Sequence, residues 1–321
     1  MSDAAEKLAF LLALQESLGG SIPFERWMRE ALYHEKFGYY TTQIREVGRQ
    51  GDFTTWPARE DNLAQAIVTW LKGWKCRHLI EVGAGSGQLA HGIIRALGWW
   101  KRPQYHIVEA SPILQAQQQK RLGRKALWSE SLAAALARCD GDAVIISNEL
   151  VDAFPCRVFQ YQGAAWWELA LRIESGKILE NWIAAALPDS TVAESEWPEG
   201  QRVEIHESYR QWQAEHLAGW HRGAMLTIDY GDTCPRLYHR RPRGTLRAYG
   251  HHQRFEGMEA YGAFGRRDLT ADVNFSDLTR WRPGSAHELM TMGEFLGKYH
   301  HPVAGQLQAA ADAFQVLIQA R

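Results

Sequence analysis

Apolar residues open the chain at near-helical spacing. Leu8, Leu11, Leu12, Leu14 and Leu18 predict an amphipathic helix over residues 3 to 18, ended by Gly19 and Gly20. Pro23 suits a first helical position, and Phe24, Trp27, Met28 and Leu32 continue a helical stripe. A stretch rich in Gly and aromatic residues runs from Gly38 to Pro57, and residues 61 to 72 return to a helix. From Arg77 the period changes. Short apolar runs at His78–Val82, Tyr105–Val108, Ala126–Trp128 and Ala143–Ile146 alternate with helical segments over 89–97, 112–122 and 130–138. Strand and helix alternating at this spacing predict an α/β fold with a doubly wound, mostly parallel sheet.

Residues 156 to 187 break the alternation. Val158–Tyr161, Ala165–Ile173 and Ile178–Ala184 read as antiparallel strands with Gly163 and Gly176 at the turns, so a small β insertion is expected over about 156–200. A helix near 206–219 and a buried strand, Ala224–Ile228, resume the α/β pattern. The segment from Pro235 to Gly265, rich in Arg, Gly, His and Tyr, reads as a functional loop. Helices are expected near 287–297 and 304–320.

Composition narrows the function classes. The chain has 321 residues with 45% hydrophobic positions, enough for a sizeable core. Lys plus Arg total 36 against 37 for Asp plus Glu, a balance that argues against bulk nucleic-acid binding. Cys76, Cys139, Cys156 and Cys234 are far apart, which suggests neither a disulfide framework nor a zinc ribbon. Asp3 and Glu6 precede the first apolar run, unlike a secretory or transit leader, and no apolar run approaches the length of a membrane span. A cytoplasmic protein without a transmembrane helix is the expectation. The 14 Trp residues are unusual and suit cores, interfaces and stacking sites alike.

The chemistry concentrates at two loops. Glu81-Val82-Gly83-Ala84-Gly85-Ser86-Gly87 joins a strand to a helix, where nucleotide-type ligands meet the carboxyl edge of a parallel sheet. Glycines let the backbone turn tightly and a ligand approach closely. Glu109 ends the next strand and could accept hydrogen bonds from ribose hydroxyls. A dinucleotide turn wants its third glycine one position later, where Gln88 stands. The spacing therefore favours S-adenosylmethionine over NAD. The second loop, Ser147-Asn148-Glu149-Leu150-Val151-Asp152-Ala153-Phe154-Pro155, follows the fourth strand. Glu149 and Asp152 would share a face of one helical turn, able to clamp a cation or a guanidinium; the simpler alternative is Asn148 capping the next helix, or a solvated acidic turn.

With these motifs the sequence is similar to the MidA-like class I S-adenosylmethionine-dependent methyltransferases, from about Ile22 to Leu296. The resemblance also rests on Ala31-Leu32-Tyr33 with Gly38-Tyr39-Tyr40, on Gly51-Asp52-Phe53-Thr54-Thr55, and on Val108-Glu109-Ala110-Ser111-Pro112 with Gln117. Later motifs are Asp229-Tyr230-Gly231, Gly244-Thr245-Leu246-Arg247-Ala248-Tyr249 and Asp268-Leu269-Thr270-Ala271. The mitochondrial member of that family is a protein arginine methyltransferase needed for respiratory complex I assembly. The resemblance implies a Rossmann-like methyltransferase domain over 76–321 and an N-terminal helical cap with a cofactor-covering loop over 1–75. It implies S-adenosyl-L-methionine as cofactor, held by Gly51, Asp52, Phe53, Thr54, Glu81, Gly83, Gly85, Gly87, Glu109, Ala110 and Asn148. Asn148, Glu149 and Asp152 would stand near the methyl group, and the partner would be an arginine-containing protein, such as a respiratory-complex subunit.

The cofactor half keeps the family's pattern, whereas Trp56-Pro57-Ala58, Asp272-Val273-Asn274 and Met292 depart from it on the substrate side. A non-catalytic S-adenosylmethionine-binding assembly factor therefore stays open as an alternative, and an NAD-dependent oxidoreductase as a more distant one. His251-His252 and His300-His301 lack the spacing of a metal motif, so no metal is expected. Arg236, Arg240, Arg241, Arg243 and Arg247 form a basic run that fits a solvated loop or an acidic-partner contact equally well. Glu204 and His206 carry no assigned role.

Overall fold

The computed structural model describes residues 3–44, 61–75, 77–98, 103–250, 253–282, 286–302 and 305–321. The chain divides into two compact units, one of Met1–Gln43, Ala153–Tyr209 and Thr233–Asn274, the other of Ile44–Asp152, Arg210–Asp232 and Phe275–Arg321.

The second unit carries the parallel sheet. Its strands are β1 (His78–Val82), β2 (Gln104–Val108), β3 (Leu127–Ser129), β4 (Val144–Asn148), β5 (Ala224–Asp232), β6 (Ala286–Thr291) and β7 (Phe314–Ala320). They lie in the order β6-β7-β5-β4-β1-β2-β3. The β5–β4, β4–β1, β1–β2 and β2–β3 pairs are parallel, while β7 runs antiparallel to β5 and β6. The order reverses direction at β1, next to β4, which is where such sheets open a crevice at their carboxyl edge.

Consecutive apolar residues make this sheet because strand side chains alternate faces. Leu79, Ile107, Ile146, Leu226 and Val316 pack on one side with helices α1 (Asn62–Leu71) and α2 (Gln88–Leu97). Ile80, Val82, Ile145 and Met225 pack on the other with Leu132, Ala135 and Leu136 of a short helix, Leu132–Ala137. Between β2 and β3 runs helix α3 (Pro112–Leu122), begun by Ser111, whose hydroxyl accepts from the Leu114 amide at 3.3 Å.

The C-terminal expectation is corrected. The predicted helix over 304–320 is a short helix, Gln306–Ala311, followed by strand β7. Phe314, Val316 and Ile318 enter the core on alternate positions of Phe-Gln-Val-Leu-Ile-Gln-Ala, and seven residue pairs join β7 to β5. A two-residue period rich in β-branched residues has overridden the helical reading of the preceding Gln-Leu-Gln-Ala-Ala-Ala. Likewise the predicted helix over 287–297 begins only at Met292, behind the strand Ala286–Thr291. Thr291 and Glu294 form a capping box there.

The first unit holds the expected antiparallel insertion. Arg157–Gln162, Ala165–Glu174 and Lys177–Ala184 form a meander; Arg202–Ile205 extends it beside Arg157–Gln162, and Ile22–Pro23 pairs with Leu171 and Ala170 of the middle strand. The N-terminal helices Asp3–Ser17 and Phe24–Tyr33 belong to this unit. Its sheet carries charge pairs: Arg157 with Glu168 and Glu207, and Arg202 with Glu180, whose carboxylate also accepts the Tyr261 hydroxyl. Arg202 lies over the Trp182 ring and Trp166 meets Trp197, so part of the tryptophan excess goes into this sheet. Among the described residues no helix is long and apolar enough to cross a membrane.

Candidate active site

The glycine turn leaves β1 with three left-handed glycines: φ is 70° at Gly83, 53° at Gly85 and 73° at Gly87. Gly87 caps α2 in a conformation that L residues rarely adopt. At Gly83 space matters as well, because a Cβ there would meet Leu150 Cδ1 at 2.7 Å. The glycines therefore let the loop after β4 approach the turn after β1.

Glu81, the last acid before the turn, is buried, and Tyr105 on β2 donates its hydroxyl to Glu81 Oε2 at 2.7 Å. Burial pushes the Glu81 pKa up to about 7, the Tyr105 hydrogen bond pulls it back, and the Glu109 charge pushes it up again.

Glu109 is fixed by a residue that sequence reasoning missed. Gln118, fully buried on α3, donates through Nε2 to the Gly85 carbonyl at 2.8 Å and to Glu109 Oε2 at 2.9 Å. Its Oε1 accepts from Trp128 Nε1 at 3.0 Å. One amide thus ties the glycine turn, the acid after β2 and a tryptophan of β3 together. The Ser111 amide donates to Glu109 Oε1 at 2.9 Å. Burial raises the Glu109 pKa, and these donors, with the amides of Ala110 and Gly85, pull against it. The family motif points to Gln117; the buried linker is its neighbour, legible only as a polar residue on the inward face of α3.

The acidic loop after β4 has its own anchor. Asp229 on β5 is wholly buried. Its Oδ2 accepts from the amides of Leu150 at 3.1 Å, Val151 at 2.7 Å and Asp152 at 3.3 Å, and its Oδ1 from the Tyr230 amide at 2.9 Å. Burial, then the neighbouring Asp152 charge, push the Asp229 pKa well up. Glu149 begins this stretch at φ 53°, a costly backbone for a non-glycine residue. Its amide donates to the Ile228 carbonyl at 2.9 Å, so both flanks of the strained residue are tied to β5. Asn148 Nδ2 donates to Glu149 Oε1 at 3.0 Å, whereas Asn148 Oδ1 is buried without a hydrogen-bond partner.

The structure thus brings Glu81, Gly83, Gly85, Gly87 and Glu109 to one strand edge, and Asn148, Glu149 and Asp152 to the next loop along it, under Asp229. Ala110 is exposed beside Glu109. Gly51, Asp52, Phe53 and Thr54 lie outside the described residues, as do Trp56, His251 and His252. The His300 and His301 rings lie with centroids 4.4 Å apart and planes tilted by 46°. Glu204 is a buried anchor of the other unit: it accepts from the amides of Thr245 and Leu246 and from the Thr245 hydroxyl. In that unit Arg241 and Arg247 of the basic run pair with Asp272.

The donor set discriminates between ligands. A pyrophosphate would face the carboxylates of Glu81 and Glu109. A ligand with ribose hydroxyls, an ammonium and a sulfonium instead meets acceptors, among them the unpartnered Asn148 Oδ1. The residues present fit S-adenosylmethionine.

Known proteins agree. A structure of a Burkholderia thailandensis protein bound to S-adenosyl-homocysteine covers 100% of this chain with a TM-score of 0.84 at 26% identity, over 94% of its own length. A second structure from that organism gives 0.78 at 25% identity, again over 100% of this chain and 94% of its own. The chain is 26% identical over 299 residues to the protein arginine methyltransferase NDUFAF7 homologue of Drosophila melanogaster, covering 80% of this chain and 65% of the relative. The mouse protein arginine methyltransferase NDUFAF7 is 26% identical over 84% of this chain and 68% of its own length. The chain thus spans only about two thirds of the length of these curated relatives. A family profile of S-adenosyl-L-methionine-dependent methyltransferases matches residues 62–290, which hold the glycine turn, Glu109, the acidic loop and Asp229. The chain belongs to this family of S-adenosyl-L-methionine-dependent methyltransferases.

Proposed function

We propose that the chain methylates an arginine guanidinium in a protein substrate. The observation that carries the reading is the carboxylate loop Glu149–Asp152, held in a fixed backbone by Asp229 at the sheet edge beside the glycine turn. Relatives named protein arginine methyltransferases, at 26% identity, support it.

When bound, S-adenosylmethionine supplies a methyl group attached to a cationic sulfur. The chain has to bind it, align the nucleophile and exclude water. In this reading Gly83, Gly85 and Gly87 give the ligand close access to the backbone. Glu109 accepts from the ribose hydroxyls with the lone pairs that Ser111 and Gln118 leave over. Asn148 Oδ1 and the carboxylate of Glu81 receive the ammonium end.

A guanidinium is a poor nucleophile because its charge is delocalised and it holds its protons tightly. Glu149 and Asp152 would grip its N–H groups, drawing positive charge away from the attacking nitrogen. In forming the new N–C bond that nitrogen would displace the sulfur, which keeps the electron pair of the broken S–C bond, and would release one proton to the Glu149 carboxylate. The product remains a cation.

The test is S-adenosyl-homocysteine release on incubation with S-adenosylmethionine and a cell extract, with mass spectrometry of the methylated proteins. Methyl-arginine that grows with the wild-type chain is expected. Glu149→Gln should lower turnover roughly a hundredfold while leaving cofactor affinity nearly intact. Methylation confined to lysine, to amino termini or to small molecules would overturn the arginine reading. Cofactor binding without any turnover would point to an assembly factor instead.

A further inference from the structure

Far from the glycine turn, three side chains with lone pairs converge. His78 opens β1, His106 lies in β2 and Cys139 follows the helix Leu132–Ala137. His78 Nδ1 stands 3.4 Å from His106 Nε2, which stands 3.7 Å from Cys139 Sγ. All three atoms lie within 4.8 Å of one another. His106 and Cys139 are buried, and His78 is partly open to solvent.

The local fold explains the meeting. His78 pairs with Gln104 and Ile80 with His106, so both imidazoles leave the same face of the sheet, one diagonal step apart. That face is covered by Leu132, Ala135 and Leu136. Cys139 sits just beyond them, its amide bonded to the Leu136 carbonyl. Three separate segments therefore contribute one atom each.

The two separations from His106 Nε2, 3.4 and 3.7 Å, match those in a coordination polyhedron. A tetrahedral zinc ion with Zn–N of about 2.0 Å and Zn–S of about 2.3 Å separates two nitrogens by about 3.3 Å and nitrogen from sulfur by about 3.6 Å. A plain hydrogen-bonded cluster explains the arrangement less well, because 3.4 Å is long for a ring–ring hydrogen bond. We infer that His78 Nδ1, His106 Nε2 and Cys139 Sγ form a site for a borderline-soft divalent cation, zinc above all, with the fourth position open to water beside His78. Two imidazoles and a thiolate are the ligand types that select such an ion. Binding displaces the Cys139 thiol proton to solvent, and the resulting thiolate offsets the nearby Arg138 charge, which otherwise opposes a cation here.

The site is separate from methyl transfer. His78 and Val82 are at opposite ends of β1, about 13 Å apart at strand rise. The ion would staple β1, β2 and the segment after the helix Leu132–Ala137 together, leaving the ligand edge untouched.

The test uses the full chain without a histidine tag, stripped of metal by a chelator and titrated with Co²⁺, then with Zn²⁺. One Co²⁺ per chain should bind, with the near-ultraviolet thiolate charge-transfer band and visible bands of a tetrahedral centre, and Zn²⁺ should bleach both. Cys139→Ser should lose the charge-transfer band. His78→Asn, at a partly exposed strand start, should keep the wild-type circular dichroism and lose the one-to-one binding. Absence of the band in the wild-type chain would overturn the inference. So would a full band in Cys139→Ser, or undiminished binding in His78→Asn.

Discussion

The two ends of the central strands handle buried polar groups differently. At the carboxyl end, carboxylates meet N–H and O–H donors: Tyr105 for Glu81, Ser111 and Gln118 for Glu109, and four backbone amides for Asp229. Toward the amino end of β1, His78, His106 and Cys139 bring lone-pair atoms together. The first arrangement builds a preorganised edge of hydrogen-bond acceptors that suits a ligand with a cationic centre and hydroxyl groups. The second suits an ion. In a parallel sheet the same strands serve both, because a strand displays chemistry wherever its alternation places a polar residue.

Asp229 carries the largest share of the carboxyl-end arrangement. Asp229→Ala should destabilise the chain by roughly 3 kcal/mol, since the amides of residues 150 to 152 lose a shared acceptor. Urea unfolding measures it, and turnover should fall with it. A loss below about 1 kcal/mol would mean that the acidic loop holds itself.

Glu81 gives an effect of similar size that depends on pH. Its folded pKa, about 7, is raised above the ordinary carboxyl value of 4.5. The protonated form is therefore favoured by folding. That contribution is fully present below about 4.5 and lost as pH rises through about 7. Glu81→Gln removes the titration, so relative to the variant the wild-type chain should weaken between pH 5 and pH 8, by on the order of 3 kcal/mol. Parallel stability curves for the two proteins would show that Glu81 is not held as described.

Gln118→Ala should cost about 2 kcal/mol of stability, because it orphans the Trp128 indole and frees the Gly85 carbonyl. Cofactor affinity should fall with it, as Glu109 loses a positioning partner; thermal shift with and without S-adenosylmethionine separates the two effects. The smallest effect belongs to Ser111→Ala, about 1 kcal/mol for a lost helix cap. Cofactor affinity should stay close to wild type there, since the Ser111 amide that holds Glu109 remains.

The glycine turn, Glu109 and the acidic loop were legible in the sequence because each is a short run at the end of an apolar strand. Gln118 and Asp229 were not assigned, since what makes them matter is a contact with a segment distant along the chain, which no local spacing encodes. Asp229 lies 77 to 79 positions from the amides it holds. The His78, His106 and Cys139 meeting depends on strand register and on where a helix ends, with 28 and 33 positions between contacting residues. Strand β7 is hidden from sequence patterning because its alternation covers only seven residues and follows a run of good helix formers.

The central claim is that S-adenosylmethionine binds at the glycine turn with Glu109 on its ribose. Calorimetric titration of the wild-type chain and of Glu109→Ala tests it directly. One site per chain is expected, weakened in the variant by about 1.5–3 kcal/mol, the worth of hydrogen bonds to a charged group, or about ten- to a hundredfold in Kd. No heat with the wild-type chain, or equal affinity in the variant, would contradict it.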